Sequence, residues 1–313
     1  MIIGLIAILL VAVGLLIMQN YLVYDDTGKA HWEFPFTQQK EEKEDAPAVD
    51  PDDVEIQREE PVSTVGKDLS PLQAQELPLW CLNDDPTWLL KDVPQGVVVN
   101  VKTTDGALTY ASKVTVPDSI SKGGEGTATN LRTILDSQHN VVARMACLCD
   151  SAYAYEKVKD AALCWEDGSL WWDNYGRYWL DPGKADTLRY VKELCQECVT
   201  LGFDEIVLDY FAYPAEWEGS ADRGAVLTQF VTDLREALPE GTQLSVLLRD
   251  MPSTQNGMSA DLLCAGFDRI FVDNTVDAAA LKATLPADFD AVTRLVPIVW
   301  EAAESGSYMI ATN

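Results

Sequence analysis

From about residue 76 onward, short apolar runs alternate with stretches of helical spacing. The runs are LPLWCL (77–82), GVVVNVK (96–102), NVVARMACL (140–148), DEIVLDYF (204–211), TQLSVLLR (242–249), DRIFVDN (268–274), RLVPIVW (294–300) and SYMIAT (307–312). Helical patterns precede five of them; in 185–202, Leu188, Val191, Leu194, Cys195 and Cys198 share one helical face. Near-continuous Val/Ile/Leu strands separated by helices describe a parallel sheet covered on both faces. Eight strands in roughly 240 residues match the size of a (β/α)8 barrel. The expected class is therefore α/β, a TIM-type barrel over 76–313. A doubly wound open sheet is the runner-up, but no Gly-rich turn for a dinucleotide follows the first or second strand.

Upstream the texture differs. Residues 2–18 carry no charged or polar side chain, and Tyr21 and Tyr24 stand where interfacial aromatics belong. Residues 1–24 are expected to be an uncleaved transmembrane signal anchor, since a basic n-region and a clear cleavage site are lacking. Residues 25–75 are expected to be a disordered acidic linker, because acids crowd 41–60 against only Lys43 and Arg58. The expected location is the cell membrane, single-pass, with the C-terminal domain extracytoplasmic.

The formal net charge of -27 argues against nucleic-acid binding, since phosphates would be repelled. A neutral ligand such as a sugar meets no such repulsion. Of the 7 cysteines, Cys195 and Cys198 form a CxxC inside a helical pattern with no second pair to complete a zinc site. Buried free thiols are expected, a disulfide stays open, and neither metal nor cofactor is expected.

In such a barrel, chemistry sits on the loops after the C-terminal strand ends. This sequence places Lys102 and Asp105, Asp150, Asp209 and Tyr210, Arg249 and Asp250, Asp273 and Asn274, and Trp300 and Glu301 there. Only His31 and His139 exist, and neither falls at that rim, so a Ser-His-Asp or histidine-metal site is excluded. Carboxylate pairs without histidine are the tools of glycoside hydrolysis. The stretch 164–182 is rich in Trp and Tyr, whose faces stack on sugar C–H surfaces. Some of these rings would close the loop's own core, while Trp171 or Trp172 could line a cleft.

GFDEIVLDYFAYP (202–214) resembles the GFDEIxxDYxRFP motif of a family of glycoside hydrolase-like barrels often found behind a bacterial membrane anchor. GVVVNVKTTDGALTY (96–110), NVVARMACLCD (140–150) and YWLDPGKADTLRYVKELCQECVTLGFDEI (178–206) resemble further segments of it. The resemblance implies a (β/α)8 fold, an extracytoplasmic site and action on a glycan. It aligns Asp209 with the motif aspartate, Tyr210 and Tyr213 with its aromatic positions, and Lys102 with its lysine. Ala212 stands where the motif has arginine, and Asn100 where the family has aspartate.

Alternation puts Val207 and Asp209 on one strand face and Ile206, Leu208 and Tyr210 on the other. The reading that follows is a two-carboxylate hydrolase of an extracellular or cell-envelope polysaccharide. Asp209 is the nucleophile or stabiliser, and Asp273, then Glu301, is the partner acid. Lys102, Asp150, Trp171, Trp172, Tyr210, Tyr213, Arg249 and Trp300 are the expected substrate contacts. The alternatives are a catalytically inactive carbohydrate-binding barrel or a surface scaffold. For Asp209, the structural alternative is a buried acid paired with Arg249 or Arg144. Asp204 and Glu205 are expected to be solvated or helix-pairing at the opposite face.

Overall fold

The computed structural model describes residues 69–312 together with 22–24 and 30–32. The chain divides into two compact units, Met1–Glu60 and Pro61–Asn313. In the first, β1 (Leu22–Tyr24) pairs antiparallel with β2 (Ala30–Trp32). Leu22–Tyr24 thus form a strand where the end of an apolar anchor was expected, and Ala30–Trp32 a strand where linker was expected. The remainder of the expected anchor and most of the expected linker lie outside the described residues. Among the described residues, no helix is long and apolar enough to cross a membrane.

The second unit is a closed barrel of eight parallel strands. They are β3 (Gln73–Glu76), β4 (Gly96–Lys102), β5 (Asn140–Ala146), β6 (Glu205–Asp209), β7 (Gln243–Leu248), β8 (Ile270–Val272), β9 (Leu295–Val299) and β10 (Tyr308–Ile310). Helices α1 (Glu125–Leu135), α2 (Ser151–Glu156), α3 (Ala185–Leu201), α4 (Arg223–Ala237), α5 (Ala260–Gly266), α6 (Ala278–Thr284) and α7 (Ala291–Arg294) accompany them. Gly202 ends α3 at φ 100°, a left-handed cap that turns the chain into β6.

One expected strand is displaced. LPLWCL (77–82) is not the first strand. Its end, Leu79–Leu82, is a 3-10 turn following Pro78, and the polar QAQE at 73–76 closes the barrel instead. Pro78 cannot donate to a ladder, whereas β3 donates and accepts between β10 and β4.

Strand alternation sorts the side chains into two cores. Ala74, Val98, Val142, Val207, Leu247, Phe271, Val296 and Met309, one from each strand, fill the barrel's middle. Ile206 and Leu208 instead pack in the core that holds the helices' buried side chains. Two residues from the middle layer on the same strand faces stand Glu205, Ser245 and Arg269 below and Asp209, Arg249 and Asp273 above. Glu205 is therefore not solvated. It is 1% exposed, and it accepts from Ser245 Oγ and pairs with Arg269 inside the barrel. Burial pushes its carboxyl up, with Arg269 opposing.

Candidate functional site

The upper layer is an arc of ion pairs running through successive strands. Glu76 Oε1 at the end of β3 accepts from Asn100 Nδ2 of β4 (2.7 Å) and from Arg144 Nη1 of β5 (2.6 Å). Arg144 also donates from Nε (3.0 Å) and Nη2 (2.9 Å) to Asp209 Oδ2. From the other side, the Arg249 side chain, which follows β7, donates from Nε to Asp209 Oδ1 (2.7 Å) and from Nη2 to Oδ2 (2.9 Å). Its Nη1 reaches Asp273 Oδ2, after β8, at 3.3 Å. Asp209 is 3% exposed. Burial alone would raise its carboxyl, but Arg144 and Arg249 outweigh it and hold it below the usual carboxylate range.

Tyr210 stands at the centre of the mouth. It has φ 54°, the only positive φ at a non-glycine among the described residues. Asp209 Oδ1 accepts its backbone N–H at 2.8 Å. The Arg249 guanidinium lies 4.2 Å and the Arg177 guanidinium 5.1 Å from its ring centre, and Trp179 meets the ring edge-on at 5.8 Å. A sparsely populated backbone conformation persists only where its surroundings hold it, and these contacts do so.

Tyr210 and Arg249 form the wall between two cavities. On one side, about 510 Å³ is lined by Glu76, Trp80, Asn100, Arg144 and Asp209 among others. On the other, about 520 Å³ is lined by Arg177, Trp179, Ala212, Glu216 and Asp250 among others. A third cavity of about 510 Å³ lies against Trp165, Trp172, Asn174 and Glu216. The Asp250 carboxyl is raised by partial burial, and by the negative charges of Glu216 and Asp273 over the opposition of Arg249.

Residues 91–246 match the family described as "Putative glycosyl hydrolase domain". No curated protein matches the chain. Among solved structures, it is similar to a hypothetical protein from Ruminiclostridium thermocellum ATCC 27405, at 26% identity and TM-score 0.47, covering 55% of this chain and 96% of that one. Aspergillus fumigatus Ega3, in complex with galactosamine, is 12% identical at TM-score 0.48, covering 80% of this chain and 96% of that one. The GH36 α-galactosidase AgaA of Geobacillus stearothermophilus, in complex with 1-deoxygalactonojirimycin, is 10% identical at TM-score 0.49. That match covers 78% of this chain and 39% of the other.

The structure brings Asp209, Arg249, Tyr210 and Asp273 together, with Lys102 on the wall of one adjoining cavity and Tyr213 on that of the other. Lys102 and Asp150 lie deep, although Lys102 reaches the wall of the cavity on the Asp209 side. They form a buried pair at 2.8 Å, 3% and 0% exposed, and Asp150 also caps α2 through Tyr153 N and accepts from Tyr190. Trp171 is core at 1% exposed, while its neighbour Trp172 is 53% exposed. Tyr213 is buried and stacked on Trp217 at 5.1 Å, with its hydroxyl unpaired. Glu301 and Trp300 are exposed after β9 and line none of these cavities. All seven cysteines are free, and burial raises the Cys81, Cys147 and Cys149 thiols to about 12. Among the described residues, no group of three His, Cys, Asp or Glu is placed to hold a metal ion.

Sequence reasoning missed Glu76, Arg177 and Glu216. Glu76 was legible only by extending the alternation backward through Leu72 and Ala74. Arg177 comes from the aromatic loop, where Asp173 holds it at 2.8 Å and so aims it at Tyr210.

Proposed function

We propose that the barrel is a glycoside hydrolase acting on an oligo- or polysaccharide, with its reaction centre where Asp209, Arg249 and Asp273 meet. The observation that carries this reading is one guanidinium reaching two carboxylates between two open cavities. The bridge sets Asp273 beside Asp209, and Asp250, the residue after Arg249, lines the cavity on the Arg177 side, so carboxyls flank the same mouth as glycoside hydrolysis requires. The match to a glycosyl hydrolase family over residues 91–246 supports it.

Asp209, held ionised by two arginines, suits the stabilisation of positive charge on the sugar ring and is unfit to donate a proton. Asp250, exposed on the wall of the Arg177-side cavity beside Arg249 and raised by partial desolvation and its acidic neighbours, suits the donor role. Its proton passes to the glycosidic oxygen as the C–O bond breaks. Water adds to the anomeric carbon and releases one proton, which restores the balance. The test is release of reducing sugar from a broad polysaccharide panel by the full chain, by Asp209→Asn and by Asp250→Asn. Hydrolysis by the wild type with loss in both variants is expected; full activity in Asp209→Asn sinks the assignment. Extracytoplasmic display behind residues 1–24 belongs to the same reading. Protease digestion of intact cells tests it, and a fully protected domain speaks against it.

A second reading, a non-catalytic glycan binder, is favoured by one feature. The two Asp209 oxygens accept five hydrogen bonds from Arg144, Arg249 and Tyr210, and a carboxylate has about four acceptor sites. A wild type that binds a panel glycan and releases nothing from it supports this reading.

A further inference from the structure

Two tryptophans near the mouth remain unused. Trp80, in the 3-10 turn after β3, is 45% exposed, and Trp88, in the next turn, is 55% exposed. Their rings stack at 5.7 Å with planes 23° apart. The turn that presents Trp80 is firmly held. Cys81 and Leu82 beside it are buried, and the Leu82 carbonyl accepts from Asn130 Nδ2 of α1 at 3.0 Å. The pair presents a flat aromatic face to solvent, the kind of surface on which a sugar's C–H face stacks. Trp80, with exposed Leu79, also lines the cavity whose wall includes Asp209, so this face continues directly into the proposed reaction centre.

The cations lining that cavity narrow the ligand. Lys102 is paired with Asp150, Arg144 with Glu76 and Asp209, and Arg249 with Asp209 and Asp273. No lining cation is left for an anionic sugar, and the chain's net charge of -27 opposes one further. Asn100 and Glu76 lie on the same cavity wall and offer polar partners to sugar hydroxyls.

We propose that Trp80, backed by Trp88, is a platform that seats a pyranose ring of an uncharged glycan on the Asp209 side of the mouth. This rests on reading the mouth as a carbohydrate site, and names that site's ligand class and an added subsite. The ring's C–H face lies on the indole, and its hydroxyls turn toward Asn100 and Glu76.

The test is binding of the full chain to an array of immobilised glucans, mannans, galactans, xylans and chitin beside pectate, alginate and heparin. The wild type is expected to bind at least one neutral polymer and none of the anionic ones. Trp80→Ala weakens that binding by roughly tenfold or more, about one decade in Kd. Trp80→Phe keeps most of it, and Val292→Ala, exposed elsewhere, changes nothing. Equal binding by Trp80→Ala, or preference for an anionic polymer, overturns the platform and leaves the Asp209 reading to its own assay. A change of sedimentation in Trp80→Ala without a change in glycan binding assigns the face to a second copy and also overturns it. A wild type that binds nothing on the array overturns the platform and again leaves the Asp209 reading to the reducing-sugar assay.

Discussion

Asp209 keeps its charge in a nearly closed site because both oxygens face guanidinium N–H groups and its own strand end supplies a backbone donor. Removing that charge leaves the half-buried Arg144 and Arg249 facing a neutral amide, although each keeps one other carboxylate, Glu76 and Asp273. Asp209→Asn should therefore lose about 2–3 kcal/mol of unfolding free energy, read by urea denaturation. The sign with pH follows from the direction of the shift. The folded carboxyl lies below its unfolded value of about 3.9, so its contribution is complete above that pH and fades only as pH falls through the folded value. Wild-type stability should accordingly drop more steeply below about pH 4 than that of Asp209→Asn. Asp250 behaves oppositely. Its carboxyl is raised, first by burial and then by Glu216 and Asp273. If it donates the proton, activity falls as pH rises through its value. Glu216→Gln, which removes one repelling charge, should move that alkaline limb of the pH–rate profile to lower pH. An unmoved limb removes Asp250 from the donor role.

At the scale of elements, the aromatic loop 164–182 divides between core and surface in a way its composition could not reveal. Bridges Cys164–Leu170 and Trp172–Tyr178 fold it into short antiparallel pairings. Neighbouring Trp171 and Trp172 therefore point to opposite sides, one buried and one in solvent. Trp171→Ala should cost about 3–5 kcal/mol of stability, and Trp172→Ala about 0.5 kcal/mol or less; equal thermal shifts would contradict the burial. The same element-scale physics displaced the first strand. Apolar LPLWCL looked like a wall strand, yet Pro78 interrupts it, and its buried Cys81 and Leu82 anchor a turn. QAQE looked like linker because only every second side chain of a barrel strand must be apolar, and here the inward set is Leu72, Ala74 and then the ion-paired Glu76.

For the whole molecule, closure depends on that short polar strand. β3 is the seam between β10 and β4. Without it, the barrel exposes two unpaired edges and its middle layer loses Ala74. A fragment beginning at Pro61 should unfold in one cooperative transition. A fragment beginning at Leu77, close to the boundary that composition suggests, should aggregate or lack a cooperative transition by circular dichroism.

Local pattern determined a good deal. Apolar runs alternating with helical spacing set the parallel barrel, and period-two alternation set Asp209 on the same inward face as Val207. Both are short-range properties of the backbone, readable from a few consecutive residues. The absence of rim histidine likewise narrowed the chemistry. The company Asp209 keeps was decided by closure alone. Glu76, Asn100, Arg144, Arg249 and Asp273 span almost two hundred residues of chain, and only the stagger of six neighbouring strands aligns them into one arc. The separation of Trp171 from Trp172, the burial of Lys102 with Asp150, and the meeting of Arg177 with Tyr210 were decided in the same way. Whether a side chain is covered depends on what distant segments pack over it, and no local spacing encodes that.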